Sequence, residues 1–217
     1  MNIIFELLRD TFPLLMHGLY FTLLVSIVSN VIGLILGLIF GLMQVSKLAI
    51  LKVISTVYVD VIQGTPLLIQ LLFVYFGIPM ASHISMTPLI AGFIAMSINT
   101  GAYMTEIFRA GINSIDTGQT EAGRSLGFPY GKTMQLVILP QAVRQMIPPF
   151  VNQITHEIKD TSLLSVIGVA ELTMTAQSIY AQNFRAFEML FIVAMIYLIV
   201  IYLFRTLAKV LERKLSN

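Results

Sequence analysis

A run of residues without any charged side chain, 19–43, most constrains what this chain can fold into. A helix needs roughly 20 apolar residues to cross the hydrocarbon of a bilayer, and this run is long enough. Three more apolar blocks, at about 53–78, 87–108 and 187–208, contain few ionisable side chains. Only 11% of all residues are charged, against about 25% in a soluble domain. Because the apolar residues form long blocks instead of alternating with polar ones, the sequence predicts an all-α integral membrane protein rather than a β-barrel.

A fifth span is predicted at about 150–172, although its strongly apolar part is short and follows a charged stretch. The Lys and Arg residues support this crossing, since cytoplasmic loops carry the excess of positive charge. With it, most basic residues lie on or near one face, including Arg205, Lys209, Arg213 and Lys214. Of the 13 Lys and Arg residues, only Arg9 and Arg185 then lie on the other face. The sequence therefore predicts five transmembrane helices, with the N-terminus outside and the C-terminus cytoplasmic.

The chain shows no repeat of 20–50 residues and no low-complexity linker, so residues 1–217 are treated as a single transmembrane domain. In the first span Gly33, Gly37 and Gly41 recur every four residues. Small residues at this spacing let helices approach closely in lipid. We therefore expect this glycine face to pack against another helix rather than to act in transport.

The region 109–149, between the third and fourth predicted spans, is too polar for lipid and carries the signals of two short helices. Asp116 can cap the first helix, and Gly127 can end it in a left-handed conformation. A second helix is predicted from about Tyr130 to Leu139, where Pro140 should interrupt it. The result is a rigid bent element on the water-facing side, here called the elbow.

The elbow contains two motifs, Glu121-Ala122-Gly123-Arg124-Ser125-Leu126-Gly127 and Val137-Ile138-Leu139-Pro140. Together they resemble the cytoplasmic loop motif of ABC-importer permeases. In such a loop, Ala122 and Gly123 would let a partner pack closely, and Glu121 would supply a charge. The residues that the resemblance assigns to coupling with the ATPase are Glu121, Ala122, Gly123, Arg124, Gly127, Leu139 and Pro140. Gly123 and Val137 depart from the usual Ala and Ile, but both changes conserve size.

Three further stretches resemble the permeases of the polar amino-acid branch of ABC importers. They are Gly64-Thr65-Pro66-Leu67-Leu68-Ile69-Gln70, Gly101-Ala102-Tyr103 with Glu106, Arg109 and Gly111, and Ile158-Lys159-Asp160-Thr161-Ser162-Leu163. The resemblance runs from residue 53 to about 168. It implies two permease chains, identical or paralogous, two cytoplasmic ATPase subunits and an external solute-binding protein. Gln63 is a departure, since many relatives have Arg before Gly-Thr-Pro.

Polar residues at the level of the membrane centre are candidates for a substrate site, because buried charges in lipid usually serve function. Glu157 and Asp160 lie three residues apart on a helix and suit an ammonium or guanidinium group. Lys159, with a half-helix beginning at Leu163, suits a carboxylate. Further candidates are Thr161 or Ser162 as the cap of that half-helix, and Asn99, Tyr103, Gln63 and Gln70 on the second and third spans. The hypothesis is a site for a cationic amino acid, with glutamine or another polar amino acid as the alternative; Lys159 and Asp160 neutralising each other is the competing interpretation.

Other function classes fit the sequence less well. The chain has no cysteine, and the stretch from Gly127 to Thr133 has three residues between its glycines where a phosphate-binding loop needs four. We therefore expect no cofactor in this chain, with ATP and Mg²⁺ bound by a partner subunit, and no nucleic-acid partner. An ion-coupled secondary transporter fits less well, because the five predicted spans show no evident inverted repeat and such a transporter would leave the elbow unexplained. A membrane enzyme would need a nucleophile and base that the sequence does not place together. The expected location is the bacterial inner membrane.

Overall fold

The computed structural model describes the backbone of residues 2–216 and the side chains of residues 4–210. Within this part of the chain there are helices and no strands, which confirms the all-α prediction. The α-helices are α1 Asn2–Gln44, α2 Ala49–Gln63, α3 Leu67–Leu72, α4 Ile78–Ser82, α5 Pro88–Asn113, α6 Thr117–Ser125, α7 Tyr130–Thr133, α8 Leu139–Asp160, α9 Leu172–Asn183 and α10 Ala186–Ser216. Wider π turns at Phe73–Gly77 and Met134–Ile138 and a 3₁₀ segment at Thr161–Ile167 join some of them. The side chains of Arg213 and Lys214 lie outside the described residues.

The two helices α1 and α5 run side by side, and the glycines of α1 form the contact. A Cβ on Gly33 would lie 2.6 Å from Thr100 Cγ2, and one on Gly37 would lie 2.3 Å from Met104 Cβ. Gly41 faces Phe108 in the same way. Because both numbers rise together along the contact, the helices are parallel. The expectation that this glycine face packs against another helix is confirmed.

Helix α8 packs antiparallel on another face of α5. Gly111 of α5 lies against Met146, near the start of α8, whereas Gly92 lies against Leu164 beyond its end. Midway along the contact, Thr100 donates a hydrogen bond to Glu157. Helix α5 is therefore central, enclosed by α1 and α8, and it carries most of the polar groups described below.

Two helices are long and apolar enough to cross a membrane alone, Ile4–Gln44 and Ala186–Val210. Two further pairs pass the same test only when each is taken as one bent span. The pairs are Ala49–Gln63 with Leu67–Ser82, and Tyr130–Ile167 with Leu172–Asn183. Helix α5 is not among these spans; its buried side chains include the polar Ser97, Asn99, Thr100 and Thr105, which lower its hydropathy. By length and composition the described residues hold two spans, or up to four.

The predicted second span, 53–78, is not one helix. Helix α2 begins earlier, at Ala49, and ends at Gln63, and the chain bends by 99° before it continues from Leu67 to Ser82. Pro66 has no N–H and adopts an extended conformation at the start of α3, with φ −62° and ψ 136°. A break, rather than the mild bend that a single span would tolerate, separates the two halves.

The predicted fourth span, 150–172, is also not one α-helix. Helix α8 ends at Asp160, a 3₁₀ segment follows, and Gly168 takes a left-handed conformation with φ 85°. No half-helix begins at Leu163, and the predicted cap is wrong because Thr161 Oγ1 donates to Ile158 O at 2.7 Å. Pro148 and Pro149 lie inside α8 without ending it.

The segment between the predicted fourth and fifth spans is largely the helix α9. The Glu171 carboxylate caps it by accepting hydrogen bonds from the backbone N–H groups of Thr173 and Met174, at 2.8 and 2.7 Å. Tyr197 of α10 also donates to Glu171, at 3.1 Å. This helix is easily missed when the segment is judged by hydropathy alone, since α9 is not strongly apolar.

Candidate functional site

A polar cavity of about 550 Å³ lies beside the break between α2 and α3. Its walls come from the break itself and from the facing turns of α5 and α8. The lining residues are Gln63, Gly64, Thr65, Pro66, Leu67, Asn99, Tyr103, Gln153, His156 and Asp160. Four residues proposed from the sequence, Gln63, Asn99, Tyr103 and Asp160, are therefore brought together. Asp160 is the acidic member of this lining, and Lys and Arg are absent from it.

Gln70 holds the wall of the cavity without lining it. Its Nε2 lies 2.7 Å from Ile62 O, 3.0 Å from Thr65 O and 2.9 Å from Thr65 Oγ1. Its Oε1 accepts a hydrogen bond from Asn99 Nδ2 at 3.0 Å. A broken helix leaves carbonyl groups unpaired, and in a membrane these need partners inside the protein. Gln70 supplies that partner and ties the break to α5.

A second cavity, of about 710 Å³, continues from the first along α5 and α8. The two share Gln63, Tyr103, Gln153 and His156 as lining residues. Farther along, the lining includes Glu106, which forms an ion pair with Arg109 at 2.6 Å. The two cavities form one continuous groove, here called the groove.

Glu157 is separated from the groove, although the sequence suggested that it would share a substrate site with Asp160. Its side chain is 1% exposed, and one carboxylate oxygen accepts a hydrogen bond from Thr100 of α5. Three residues along a helix correspond to a turn of about 300°, so the two side chains point roughly 60° apart. That difference is enough to place Glu157 under α5 and Asp160 on the cavity wall.

Lys159 and Ser162 line a different space, a cleft of about 380 Å³ against α10. The other lining residues of this cleft are Ala194, Tyr197, Leu198 and Ile201. Lys159 and Asp160 do not form an ion pair with each other, since their charged atoms are more than 4.0 Å apart. Lys159 and Asp160 thus line different spaces.

Sequence reasoning missed His156 and Gln153 as cavity residues. With Asp160 they occupy positions i, i+3 and i+7 of α8, which lie on one face of a helix. The spacing is visible in the sequence, but nothing in it distinguishes this face of α8 from the neighbouring faces that carry Glu157 and Lys159. Thr65 was also missed, and its role depends on the break, which the sequence did not reveal in full.

The elbow has the local geometry that the sequence predicts. Asp116 caps α6, accepting a hydrogen bond from Gly118 N at 2.6 Å. Gly127 ends the helix with φ 82°, and Phe128 N donates to Gly123 O at 3.1 Å. These are the features of a Schellman motif. Helix α7 then begins at Tyr130 as expected.

Two details of the elbow differ from expectation. Gly123 is buried against its own chain, since a Cβ there would lie 2.5 Å from Thr133 Cγ2, so it is small for an internal contact. Pro140 does not interrupt the second helix, because the π turn Met134–Ile138 leads directly into α8 and places Pro140 in the first turn, where no N–H is needed. The elbow is therefore continuous with α8.

The outer surface of the elbow combines charge with apolar side chains. Glu121, Ala122 and Arg124 are exposed on α6. Leu126 is 75% exposed and Leu136 60% exposed. An exposed apolar surface rimmed by charges is typical of a protein–protein contact.

The chain matches a family model described as "Binding-protein-dependent transport system inner membrane component" over residues 33–217. It is 42% identical to the glutamine transport system permease protein GlnP of Escherichia coli (strain K12) over 205 residues, 94% of each chain. It is 37% identical to the arginine transport system permease protein ArtQ of Bacillus subtilis (strain 168), over 100% of this chain and 99% of that protein. A chain in a crystal structure of an amino acid ABC transporter with histidines superposes with a TM-score of 0.92 at 38% identity, covering 97% of this chain and 98% of that one.

Proposed function

The chain belongs to the family of binding-protein-dependent transport system inner membrane components, and we propose that it forms the path for a cationic amino acid. It is a permease subunit of an amino-acid ABC importer and a multi-pass protein of the inner membrane. Membership implies ATPase and binding-protein partners. We propose further that ATP and Mg²⁺ bind the separate ATPase subunit and that this chain needs no cofactor.

The proposed topology keeps five spans with the N-terminus outside and the C-terminus cytoplasmic. Helices α1 and α10 supply two of them, and the two bent pairs supply two more. Helix α5 would be the fifth; it has 26 residues, which at about 1.5 Å per residue exceeds the roughly 30 Å of hydrocarbon. Its low hydropathy is tolerable because its polar side chains face other helices rather than lipid. The distribution of Lys and Arg supports the orientation.

The observation that carries the proposed substrate is the charge of the cavity. Asp160 supplies a carboxylate, and amides, hydroxyls and His156 make up the other polar lining. Gln63 occupies a position on that wall where a positive side chain would offset Asp160. Because Gln63 is neutral, the negative charge of Asp160 is not offset at this position. The cavity therefore favours an amino acid with a positively charged side chain, such as arginine, lysine or histidine.

Glutamine is a second candidate, and the amides of the cavity favour it. Gln63, Asn99 and Gln153 line the same wall, and each can both donate and accept hydrogen bonds with a carboxamide. The relatives GlnP and ArtQ carry glutamine and arginine in their names at 42% and 37% identity. Similarity alone therefore does not choose between the two substrates.

We propose that transport proceeds by alternating access and that the elbow couples it to ATP hydrolysis. The elbow is continuous with α8, and α8 carries Asp160, His156 and Gln153 on the cavity wall. A displacement of the elbow by an ATPase would therefore act on the substrate cavity through one rigid element. Glu121, Ala122, Arg124, Gly127, Leu139 and Pro140 would form or support the contact surface, with Gly123 as its internal packing residue.

The function is tested by reconstituting the full-length chain in proteoliposomes with its ATPase subunit and binding protein. We expect ATP-dependent uptake of labelled arginine, and competition by lysine or histidine stronger than by glutamine. ATP hydrolysis should require the ATPase subunit and rise with the liganded binding protein. Uptake that follows an ion gradient without ATP would contradict the assignment, and preferred uptake of glutamine would favour the second candidate.

Replacing Gln63 by Arg is expected to lower arginine uptake by at least about tenfold, because like charges brought together in a binding site cost several kcal/mol. Glutamine uptake should fall much less, so the ratio of the two rates is the measurement. The control is Gln63→Met, which removes the amide and its 3.3 Å hydrogen bond to Ala102 O but adds no charge. An unchanged ratio in the Arg variant would argue against a cation at this wall.

Reversing the charge of Glu121 by substitution with Lys is expected to lower coupled uptake by about tenfold, since an interface charge pair is lost and replaced by repulsion. Expression and thermal unfolding of the chain should not change, because the Glu121 side chain is exposed. The matched control is Glu6→Lys, an exposed acid on α1. Normal uptake by the Glu121 variant would contradict the coupling role of this surface.

A further inference from the structure

Four buried oxygen atoms within the helix bundle have no hydrogen-bond partner among residues 4–210. They are Ser29 Oγ and Asn30 Oδ1 of α1, Ser97 Oγ of α5 and Glu157 Oε1 of α8; a fifth such atom, Gln44 Oε1, lies at the far end of α1. Ser29, Ser97 and Glu157 are 0%, 2% and 1% exposed. Nearly all buried polar atoms in native proteins have a partner, and leaving one without a partner costs free energy. The four atoms therefore point to a bound molecule.

The four atoms belong to residues that lie within about one helical turn of one another along the bundle. Helices α1 and α5 are parallel, with Gly33 against Thr100. The two α1 residues precede Gly33 by four and three positions, and Ser97 precedes Thr100 by three. At about 1.5 Å per residue, all of them lie about 5–6 Å or less from the level of that contact. Glu157 lies at the contact itself, because Thr100 donates a hydrogen bond to it.

Thr100 shows that the side chains of three helices meet at this point. Its Cγ2 methyl faces Gly33 of α1, where a Cβ would lie 2.6 Å away, and its hydroxyl donates to Glu157 of α8. Ser29 extends the buried stripe of Gly33 and Gly37 by one turn, so it also faces the contact between α1 and α5. Glu157 does not line the groove, so this polar region is separate from the substrate cavity. It is here called the junction, and its residues are Ser29, Asn30, Ser97, Thr100 and Glu157.

The chemistry of the junction favours water as the bound molecule. The two serine hydroxyls can donate and accept hydrogen bonds, whereas a carboxylate oxygen needs a donor. Asn30 Nδ2 already donates to Ser26 O at 2.8 Å, which leaves its Oδ1 as an acceptor. Water both donates and accepts, and a buried water makes two to four hydrogen bonds to polar groups that lack other partners. A calcium or magnesium ion would need about six oxygen ligands, more than the junction offers.

We propose that ordered water is bound at the junction and links Glu157 of α8 to Ser29 of α1 and Ser97 of α5. Helices α1 and α5 already touch through the glycines of α1, so the water mainly attaches α8 to this pair. A hydrogen bond through water is nearly as favourable as a direct one. The junction therefore contributes to stability, and it does so without contacting the cavity that α8 lines on another face.

The first test is a double-mutant cycle on the full-length chain in detergent, with the midpoint of thermal unfolding as the measurement. Ser29→Ala and Ser97→Ala should each lower the midpoint by about 2–4 °C, the shift that corresponds to one lost hydrogen bond in a chain of this size. The double variant should lose little more than one single variant, because either substitution already disrupts the shared water. The higher helix propensity of Ala cancels in the cycle. Two losses that add in full would overturn the shared water.

The matched control is Ser55→Ala on α2. Ser55 is equally buried, but its Oγ donates to Phe40 O at 2.8 Å and so has its own partner. Combined with Ser97→Ala, this substitution should give losses that add within the error of the measurement. If the control pair departed from additivity as much as the test pair, the coupling would not belong to the junction and the inference would fail.

The second test is a structure of the complete importer at a resolution that shows ordered water. We expect solvent density within about 3.2 Å of Glu157 Oε1, with hydrogen bonds continuing to Ser29 or Ser97. A dry junction, direct hydrogen bonds among these side chains, or a density at the distances of about 2.0–2.6 Å that are typical of a bound cation would each overturn the proposal. Neither test measures transport, so failure here leaves the proposed function untouched.

Discussion

Arginine uptake is expected to fall by about 100-fold when Asp160 is replaced by Asn, because a hydrogen bond to a charged group in a partly buried site contributes about 1.5–3 kcal/mol and an unmatched charge adds to the loss. Asp160 supplies the carboxylate of the cavity lining, and the amide side chains of Gln63, Asn99 and Gln153 line the same cavity. The measurement is ATP-dependent uptake of labelled arginine and of labelled glutamine by reconstituted importer. Glutamine uptake should fall less, since it loses at most its ammonium contact.

The control for this substitution is Asp10→Asn, at an exposed position of α1 that does not line the cavity, which should leave both rates unchanged. A second comparison uses Glu157→Gln. Because Glu157 is 1% exposed and bonded to Thr100, this variant should alter stability without changing the ratio of arginine to glutamine uptake. A ratio that changes at position 157 and not at position 160 would reverse the assignment of the two carboxylates.

Replacing Gly37 by Val is expected to destabilise the chain by about 3 kcal/mol or more and to prevent normal accumulation in the membrane. The new Cβ would lie 2.3 Å from Met104 Cβ and 3.0 Å from the Met104 carbonyl carbon. Backbone atoms cannot move aside as a flexible side chain can, so α1 and α5 would have to separate, and overpacking of this kind typically costs 1–3 kcal/mol even where relief is available.

Thermal unfolding in detergent, followed by light scattering or a fluorescent thiol-independent dye, measures this loss. The control is Gly131→Ala, because nothing lies within 4 Å of a Cβ at Gly131 and its φ is not left-handed. Its stability should stay within about 1 kcal/mol of the original. Equal stability of the two variants would mean that the helices approach less closely than the structure shows.

The sequence predicts the elbow and the glycine contact well, because both depend on neighbours in the chain. The Asp116 cap, the left-handed Gly127 and the start of α7 at Tyr130 are all local choices between a few backbone conformations. The same holds for Gly33, Gly37 and Gly41, whose spacing of four residues identifies one face of α1 before any partner helix is known.

The cavity is only partly predictable, because it depends on contacts between distant segments. The direction in which Glu157 points is decided by where α5 lies, and a three-residue spacing cannot distinguish a shared face from two adjacent ones. The size of the bend at Pro66 depends on Gln70 and Asn99, which lie four and 33 residues farther along. Proline indicates an interruption, but the tertiary partners determine its angle.

Because of the break between α2 and α3, substrate preference and the packing of the helices depend on different residues and can change separately in evolution. Residues 63–67 line the cavity at the break between α2 and α3, while Gln70, hydrogen-bonded to Ile62 O and Asn99, holds the main chain at this break in place. Exchanging a side chain such as Gln63 therefore changes what the cavity accepts without repacking α1 against α5. Proteins with this fold can therefore evolve different substrate preferences while the helix packing stays the same.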